Sequence, residues 1–218
     1  MFSIVIPAHN EATRIGKTLR DYTKIKDAEI IVVLNGCTDN TEKVVVNFDV
    51  KILEFRKKLG KGRAIIEGFK VAKGEIVVFA DTDGSVPPEE LLKVVNYAKK
   101  YDVTICSRWL KESIIPVKQP LLRRIASRVF NAAVRIILGL KFHDTQCGCK
   151  AFRRDVVYAI NDIKTGGYAF DVDLLYNLKK KGYSIHEVPI TWIDRKGSKL
   201  KLIDVFEMFI SLFKIRFS

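Results

Sequence analysis

Five short, continuous apolar runs punctuate the chain as far as Ser107: Phe2–Pro7, Glu29–Leu34 (EIIVVL), Val50–Phe55, Glu75–Ala80 (EIVVFA) and Asp102–Ser107. Their length and β-branched content predict strands buried on both faces. Helices are predicted between them. One follows His9-Asn10-Glu11 to about Tyr22, and one spans Thr38–Asp49 with Asp39 or Thr41 near its cap. Another runs from the basic, glycine-containing loop Lys57–Arg63 to about Ala72, and a fourth starts at Pro87-Pro88, proline being favoured in a first turn. Such strand–helix alternation predicts an α/β fold: a mostly parallel sheet with helices on both faces. Ligands of these sheets bind beyond the carboxyl ends of the strands. Three polar segments fall there: Pro7–Glu11, Asn35–Asp39 and Asp81–Ser85.

From Pro120 the period changes. Leu121, Leu122, Ile125, Val129, Ala132, Ile136 and Ile137 share one helical face, with Arg124, Arg128 and Arg135 near its edge. Leu202–Phe217 carries a broad apolar arc that includes Phe206, Phe209, Phe213 and Phe217. Both helices suit either packing against the sheet or contact with lipid. No apolar run is long enough to span a bilayer, and the N-terminus reads as a first strand rather than a signal peptide.

Charge sharpens the picture. The 218 residues carry 38 Lys+Arg against 25 Asp+Glu, a net +13 that suits a polyanionic partner. The excess is uneven: residues 108–135 hold seven basic side chains and one acidic, Glu112. Nucleic acid is not the expected partner, because aromatic residues do not interleave with the basic ones as stacking platforms. A bare membrane-tethering module would leave the three polar strand ends unexplained. Cys37, Cys106, Cys147 and Cys149 are expected to be free thiols, since no second Cys or His pair completes a metal site with Cys147-Gly148-Cys149.

The sharpest chemistry is Asp81-Thr82-Asp83. Two carboxylates two residues apart, where a strand gives way to a loop, can meet one hard cation, Mg2+ or Mn2+, and that ion would bridge a diphosphate. Lys57, Lys58, Lys61 and Arg63 surround Gly60 and Gly62, allowing close backbone approach to a phosphate, although no Walker loop is present.

IVIPAHNEA, LNGCTDNT, KLGKGRAIIEG, FADTDG and SRW, in this order, resemble the family 2 glycosyltransferases. HDTQCGCKAFRR, GYAFDVDLLYNLKKKGY and HEVPITWIDRKGSKL narrow the resemblance to the dolichyl-phosphate glucosyltransferases and mannose synthases. The resemblance implies one GT-A, Rossmann-like α/β domain over residues 1–218 with C-terminal amphipathic helices. Residues 1–107 would form its nucleotide half and 108–218 its acceptor half. It implies that Pro7, Ala8, Asn10 and Glu11 line the nucleoside, that Asn35 and Asp39 contact base and ribose, and that Lys61 sits beside the nucleotide. Asp81 and Asp83 would hold the metal, with Ser85 beside them. Arg108 would stand on the acceptor side, and Asp144, Gln146 and Asp173 around the sugar. Arg195, Ser198 and Lys199 would close over phosphates. Asn35 stands where the family usually carries a charged residue, which leaves the base open.

The implied reaction is inverting transfer of a hexose from a nucleotide sugar to a polyprenyl phosphate, UDP-glucose favoured over GDP-mannose. Asp83, Arg108, Asp144 and Asp173 would form the reacting centre. Arg108, Arg124, Arg128, Arg195, Ser198 and Lys199 would hold the acceptor phosphate. A glycan or glycolipid hydroxyl is the alternative acceptor. It would need a base, for which Asp144 or Asp173 are candidates. Eukaryotic relatives carry an N-terminal anchor, whereas this chain starts at its first strand. The expected placement is therefore peripheral, on the cytoplasmic face of an anionic membrane.

Overall fold

The structure is a computed structural model that describes residues 1–117, 119–160, 167, 169–195 and 202–217. In chain order the elements are β1 (Phe2–Ala8), α1 (Ile15–Tyr22), β2 (Ala28–Asn35), α2 (Thr41–Val45), β3 (Lys51–Phe55), α3 (Lys61–Val71), β4 (Ile76–Ala80) and α4 (Pro88–Ala98). They continue with β5 (Val103–Ser107), α5 (Leu121–Leu138), β6 (Cys149–Arg153), α6 (Arg154–Tyr158), α7 (Phe170–Lys180), β7 (Ile185–Pro189) and α8 (Leu202–Arg216).

The strands form a seven-stranded sheet in the order β3-β2-β1-β4-β6-β5-β7. Only β6 runs antiparallel to its neighbours β4 and β5; the other pairs are parallel. Strand order reverses between β1 and β4, so a crevice opens at the carboxyl ends of these two strands. The reversed β6 delivers Cys147-Gly148 to that same edge, where the Asp81 N–H donates to the Gly148 carbonyl at 3.0 Å.

Alternation along each strand divides the core in two. Val5, Ile31, Val33, Val77 and Phe79 face one side, with residues of α3, α5, α7 and α8. Ile4, Ile6, Val32, Leu34, Val78 and Ala80 face the other, with residues of α1, α2 and α4. The runs read as continuously apolar because both faces are covered.

The five predicted strands are all present, shifted by a residue or so at their ends. Three features differ from the sequence reading. The predicted helix over Thr38–Asp49 contracts to Thr41–Val45; at its start Thr38 and Asp39 are taken into a hydrogen-bonded loop, which leaves Asn40 as the cap. Strands β6 and β7 were not foreseen. Helix α5 buries Phe130, Val134 and Leu138, whereas of the apolar set read from the sequence Leu121, Leu122, Ile125, Val129, Ala132 and Ile136 are exposed and only Ile137 packs, partly buried, against the core. Gly139, left-handed at φ 69°, ends this helix.

Candidate active site

The first two loops at the crevice are laced together. Asn10, left-handed at φ 55°, accepts the Thr38 N–H at 2.8 Å and donates to the Thr38 hydroxyl at 3.1 Å. Asp39 accepts the Thr41 N–H at 3.0 Å and the Ala12 N–H at 3.2 Å, and also the Thr41 hydroxyl. Burial opposes its ionisation, but the Thr41 hydroxyl and these N–H groups outweigh that and hold its carboxyl below the usual range. Glu11 pairs with Arg14 at 2.6 Å while its N–H donates to Thr41. Asn35, buried at the end of β2, accepts the Leu59 N–H at 2.6 Å, and its carbonyl meets His9 Nδ1 at 2.8 Å. Pro7 and Ala8 close β1 beside it. The oxygens of Asn10, Asn35 and Asp39 thus brace the loops that line the crevice.

At the end of β4, Lys61 Nζ lies 2.8 Å from Asp81. Lys61 is the first residue of α3, set there by Gly60 at φ 90°. Burial lowers the pKa of this ammonium, but Asp81 and Asp171 outweigh it and drive it up. The Asp81 carboxyl is pushed upward, first by burial, against the pull of Lys61 and with a further push from Asp83. Asp83 accepts the Ser85 N–H at 2.9 Å. Gly148 is the floor: a Cβ there would stand 1.9 Å from Asp81 Oδ2, so only glycine leaves the carboxylate its place.

No group of three or more His, Cys, Asp or Glu shaped to hold a metal ion occurs among the described residues. The donor set nevertheless fits Mg2+ or Mn2+. Such ions are held by one or two carboxylates together with substrate phosphates and water rather than by an all-protein cage. A carboxylate whose pKa is raised by burial and by a second carboxylate is one that an added cation would relieve.

Behind this pair lies one that sequence reasoning missed. Lys150 is fully buried in β6 and donates to Asp171 at 2.5 Å and to the Cys147 carbonyl at 2.8 Å. Asp171, in the first turn of α7, is the carboxylate of that helix that acts on Lys61. Asp173 instead accepts from Asn177 at 2.7 Å one turn on. The available signal was a lysine inside the apolar run Cys149–Phe152, a buried charge that requires a partner.

After β5, Arg108 grips Asp144 through Nε to Oδ2 at 2.6 Å and Nη2 to Oδ1 at 2.9 Å; its backbone N–H adds a third bond at 3.0 Å. Burial opposes the Asp144 charge, but Arg108 outweighs it and holds the carboxyl below its usual range. Asp144 is therefore engaged as an ion-pair partner, which is not the environment of a general base. Glu187 fixes the loop by accepting the His143 and Asp144 N–H groups at 2.9 and 3.0 Å.

Arg108, Trp109, Ile115, Gln119, Arg124 and Trp192 line a recess. Arg108 lies 5.4 Å from the Trp192 ring and Arg128 4.4 Å from the Trp109 ring. Pairing of Ile114 with Thr191 carries Trp192 to its place, and the Ile193 N–H donates to the Ser85 carbonyl at 2.9 Å, tying this wall to the Asp81–Ser85 loop. Arg195 follows on the same segment, largely buried at Nε. Ser198 and Lys199 lie outside the described residues. Arg124 thus joins Arg108 in the recess, while Arg128 stands behind Trp109.

The chain is 32% identical over 245 residues to a Saccharomyces cerevisiae protein named dolichyl-phosphate beta-glucosyltransferase, covering 98% of this chain and 73% of that one. It is 31% identical over 209 residues to the undecaprenyl-phosphate mannosyltransferase of Micrococcus luteus, covering 91% of this chain and 86% of that one. It is 29% identical to glycosyltransferase AglD of Haloferax volcanii, of which it spans only 34%. The crystal structure of glucosyl-3-phosphoglycerate synthase from Mycobacterium tuberculosis, in complex with Mn2+, UDP and glucosyl-3-phosphoglycerate, shares the fold. There the TM-score is 0.75 at 20% identity, over 99% of this chain and 78% of that one. Residues 3–160 match the model of glycosyl transferase family 2, and the chain belongs to that family, with a GT-A fold.

Proposed function

We propose that the protein transfers a hexose from a nucleoside diphosphate sugar, UDP-glucose in first place, to the phosphate of a polyprenyl phosphate. The observation that carries this reading is the Arg108–Arg124 recess, tied to the carboxylate loop and set beside the exposed apolar face of α5. The names of the yeast and Micrococcus relatives support a lipid phosphate acceptor. The yeast name, together with solved structures bearing UDP-glucose, favours the glucosyl donor.

In this reading the loops braced by Asn10, Asn35 and Asp39 hold the nucleoside, and Lys61 meets the diphosphate. Asp81 and Asp83 would hold a divalent ion, which when bound would supply charge neutralisation for the departing nucleoside diphosphate. Arg108 and Arg124 bring the acceptor phosphate to the anomeric carbon on the face opposite the diphosphate. An acceptor oxygen forms its bond to that carbon as the bond to the diphosphate breaks, the leaving oxygen keeping the electron pair and the configuration inverting. A phosphomonoester is already anionic near neutral pH, its second pKa being about 6. No base is then required, which matches an Asp144 locked on Arg108. What the protein supplies is the positioning of two mutually repelling anions.

The name of the M. luteus relative supports a mannosyl donor, for which GDP-mannose is the second reading. One assay tests both: labelled UDP-glucose and GDP-mannose offered with Mg2+ or Mn2+ to a polyprenyl phosphate and to the matching polyprenol, followed by solvent extraction. Label is expected in the lipid phase only with the phosphorylated acceptor and only with metal. Equal transfer to the polyprenol overturns the reading.

A further inference from the structure

Beyond the end of β4 the chain runs from Asp81 to Pro87 without regular structure before α4 begins at Pro88. Asp81 and Asp83 stand in this loop, and an ion such as Mg2+ demands near-ideal geometry of the carboxylates that meet it. Neighbouring elements hold the loop backbone at intervals. The Asp81 N–H donates to the Gly148 carbonyl at 3.0 Å, and the Ser85 carbonyl accepts the Ile193 N–H at 2.9 Å. Two further bonds come from one helix. The Thr18 hydroxyl donates to the Thr82 carbonyl at 2.7 Å, and the Tyr22 hydroxyl donates to the Val86 carbonyl at 2.9 Å. Thr18 and Tyr22 stand one turn apart on α1, and their spacing of four residues matches that from Thr82 to Val86.

Both side chains are buried, Thr18 at 2% and Tyr22 at 1% exposed, and so are Thr82 and Val86, whose carbonyls they meet. Water does not readily replace a hydroxyl there. The other buried residues of α1 are Ile15 and Leu19, so two hydroxyls on this face ask for a reason. The Thr82 carbonyl belongs to the planar peptide that joins Thr82 to Asp83, so the bond from Thr18 fixes the plane from which Asp83 projects. Gly84 is left-handed at φ 66°, and a Cβ there would stand 3.1 Å from Thr18 Oγ1: the loop closes directly over that hydroxyl. Resting on the metal reading above, we infer that Thr18 and Tyr22 are positioning residues for the divalent ion, fixing through the Thr82 and Val86 carbonyls the loop that carries Asp81 and Asp83. They act through the backbone and not as ligands. Losing one supporting bond of this kind around a metal site weakens metal affinity or activity by about tenfold to a hundredfold.

Thr18→Val and Tyr22→Phe remove the hydroxyls and keep the shapes, and Thr18→Ser keeps its hydroxyl. Mn2+ is titrated calorimetrically into each full chain with UDP present, and transfer from UDP-glucose to geranyl phosphate, a soluble prenyl phosphate, is followed beside it. Thr18→Val and Tyr22→Phe are each expected to raise the Kd for Mn2+ about tenfold and to lower kcat by a similar factor. The KM for geranyl phosphate and the affinity for UDP without metal should stay within about twofold. Thr18→Ser should bind Mn2+ nearly as the wild type does. Hydrogen bonds that served the fold alone would lower the melting temperature and leave the Mn2+ affinity of the folded protein unchanged. That result in both Thr18→Val and Tyr22→Phe overturns the inference, as does a Thr18→Ser that binds Mn2+ as weakly as Thr18→Val. If Thr18→Val does not fold, Tyr22→Phe decides. If the wild type binds no Mn2+ with UDP or with GDP, the metal reading falls and this inference with it. If the wild type binds Mn2+ and the variants bind it equally, only the roles of Thr18 and Tyr22 fall.

Discussion

Asp83 and Asp144 are carboxylates of one crevice with opposite duties. Asp83 lies in the loop after β4, beside an Asp81 whose ionisation is already opposed by burial. Replacing Asp83 by alanine removes one of the two proposed metal donors without opening the core. Turnover is expected to fall at least about a hundredfold, with the melting temperature little changed. Calorimetric titration of Mn2+ in the presence of UDP should show the affinity lost in parallel, and full activity of Asp83→Ala in EDTA would sink the metal assignment. Asp144 holds Arg108 inside the protein, and its folded pKa lies below the ordinary value. Its stabilisation is present above the unfolded carboxylate pKa of about 3.9 and is lost as pH falls through the lower folded value. Asp144→Asn leaves Arg108 buried without a counter-charge, a change that costs about 3–5 kcal/mol. Thermal melts at neutral pH should therefore separate the variant clearly from wild type, and the gap should narrow below about pH 4. A gap that stays constant down to acid pH would mean that the ion pair contributes nothing.

At the scale of elements, the insertion of β6 between β4 and β5 builds the edge that carries Asp81, and it rests on the Lys150–Asp171 pair joining β6 to α7. Lys150→Met keeps the volume but strands the Asp171 charge, and is expected to destabilise by about 3–5 kcal/mol. Adding Asp171→Leu should recover much of that loss, a double-mutant cycle read by denaturant titration; additive losses would show that the two side chains act independently. This pair also marks where the sequence stopped being readable. Strands β1 to β5 were visible because each is a continuous apolar run between helical periods, the mark of a sheet covered on both faces. The five residues of β6 contain a lysine, and β7 (Ile185–Pro189) contains His186 and Glu187, so neither shows a clean period. Their strand state comes from pairing with distant partners, information that local pattern does not hold. The site divided in the same way. Asp81 and Asp83 could be singled out by their place after an apolar run and Arg108 only through the family resemblance, whereas Lys150 and Asp171 are joined by a contact that only the fold creates.

The molecule as a whole presents one apolar side. Among the described residues no helix is long and apolar enough to cross a membrane. Helix α5 packs on α8, Phe130 meeting Phe209 edge-on at 5.4 Å. Outward from that seam α5 exposes Leu121, Leu122, Ile125, Val129 and Ile136, and α8 exposes Phe206, Ile210 and Phe213, followed by the exposed Phe217. Leu122 is 82% and Ile136 83% exposed, which water alone does not favour over so long a stripe. Arg128 and Arg135 are exposed on the same helix. Apolar side chains flanked by cations are the composition of an interfacial helix, each basic residue adding about 1 kcal/mol near an anionic surface. We propose that this side rests on an anionic membrane, which would bring the Arg108–Arg124 recess to the headgroup plane, where a polyprenyl phosphate keeps its charge. Co-sedimentation with phosphatidylglycerol-containing liposomes should carry the wild type into the pellet at low salt, less at high salt, and scarcely at all with purely zwitterionic vesicles. Leu122→Ser with Ile136→Ser should leave the protein in the supernatant while it still glycosylates geranyl phosphate in solution, because neither residue lines the recess. Equal pelleting of wild type and double variant would place the membrane contact elsewhere. Loss of turnover on the soluble acceptor would mean that the stripe shapes the site instead of docking it.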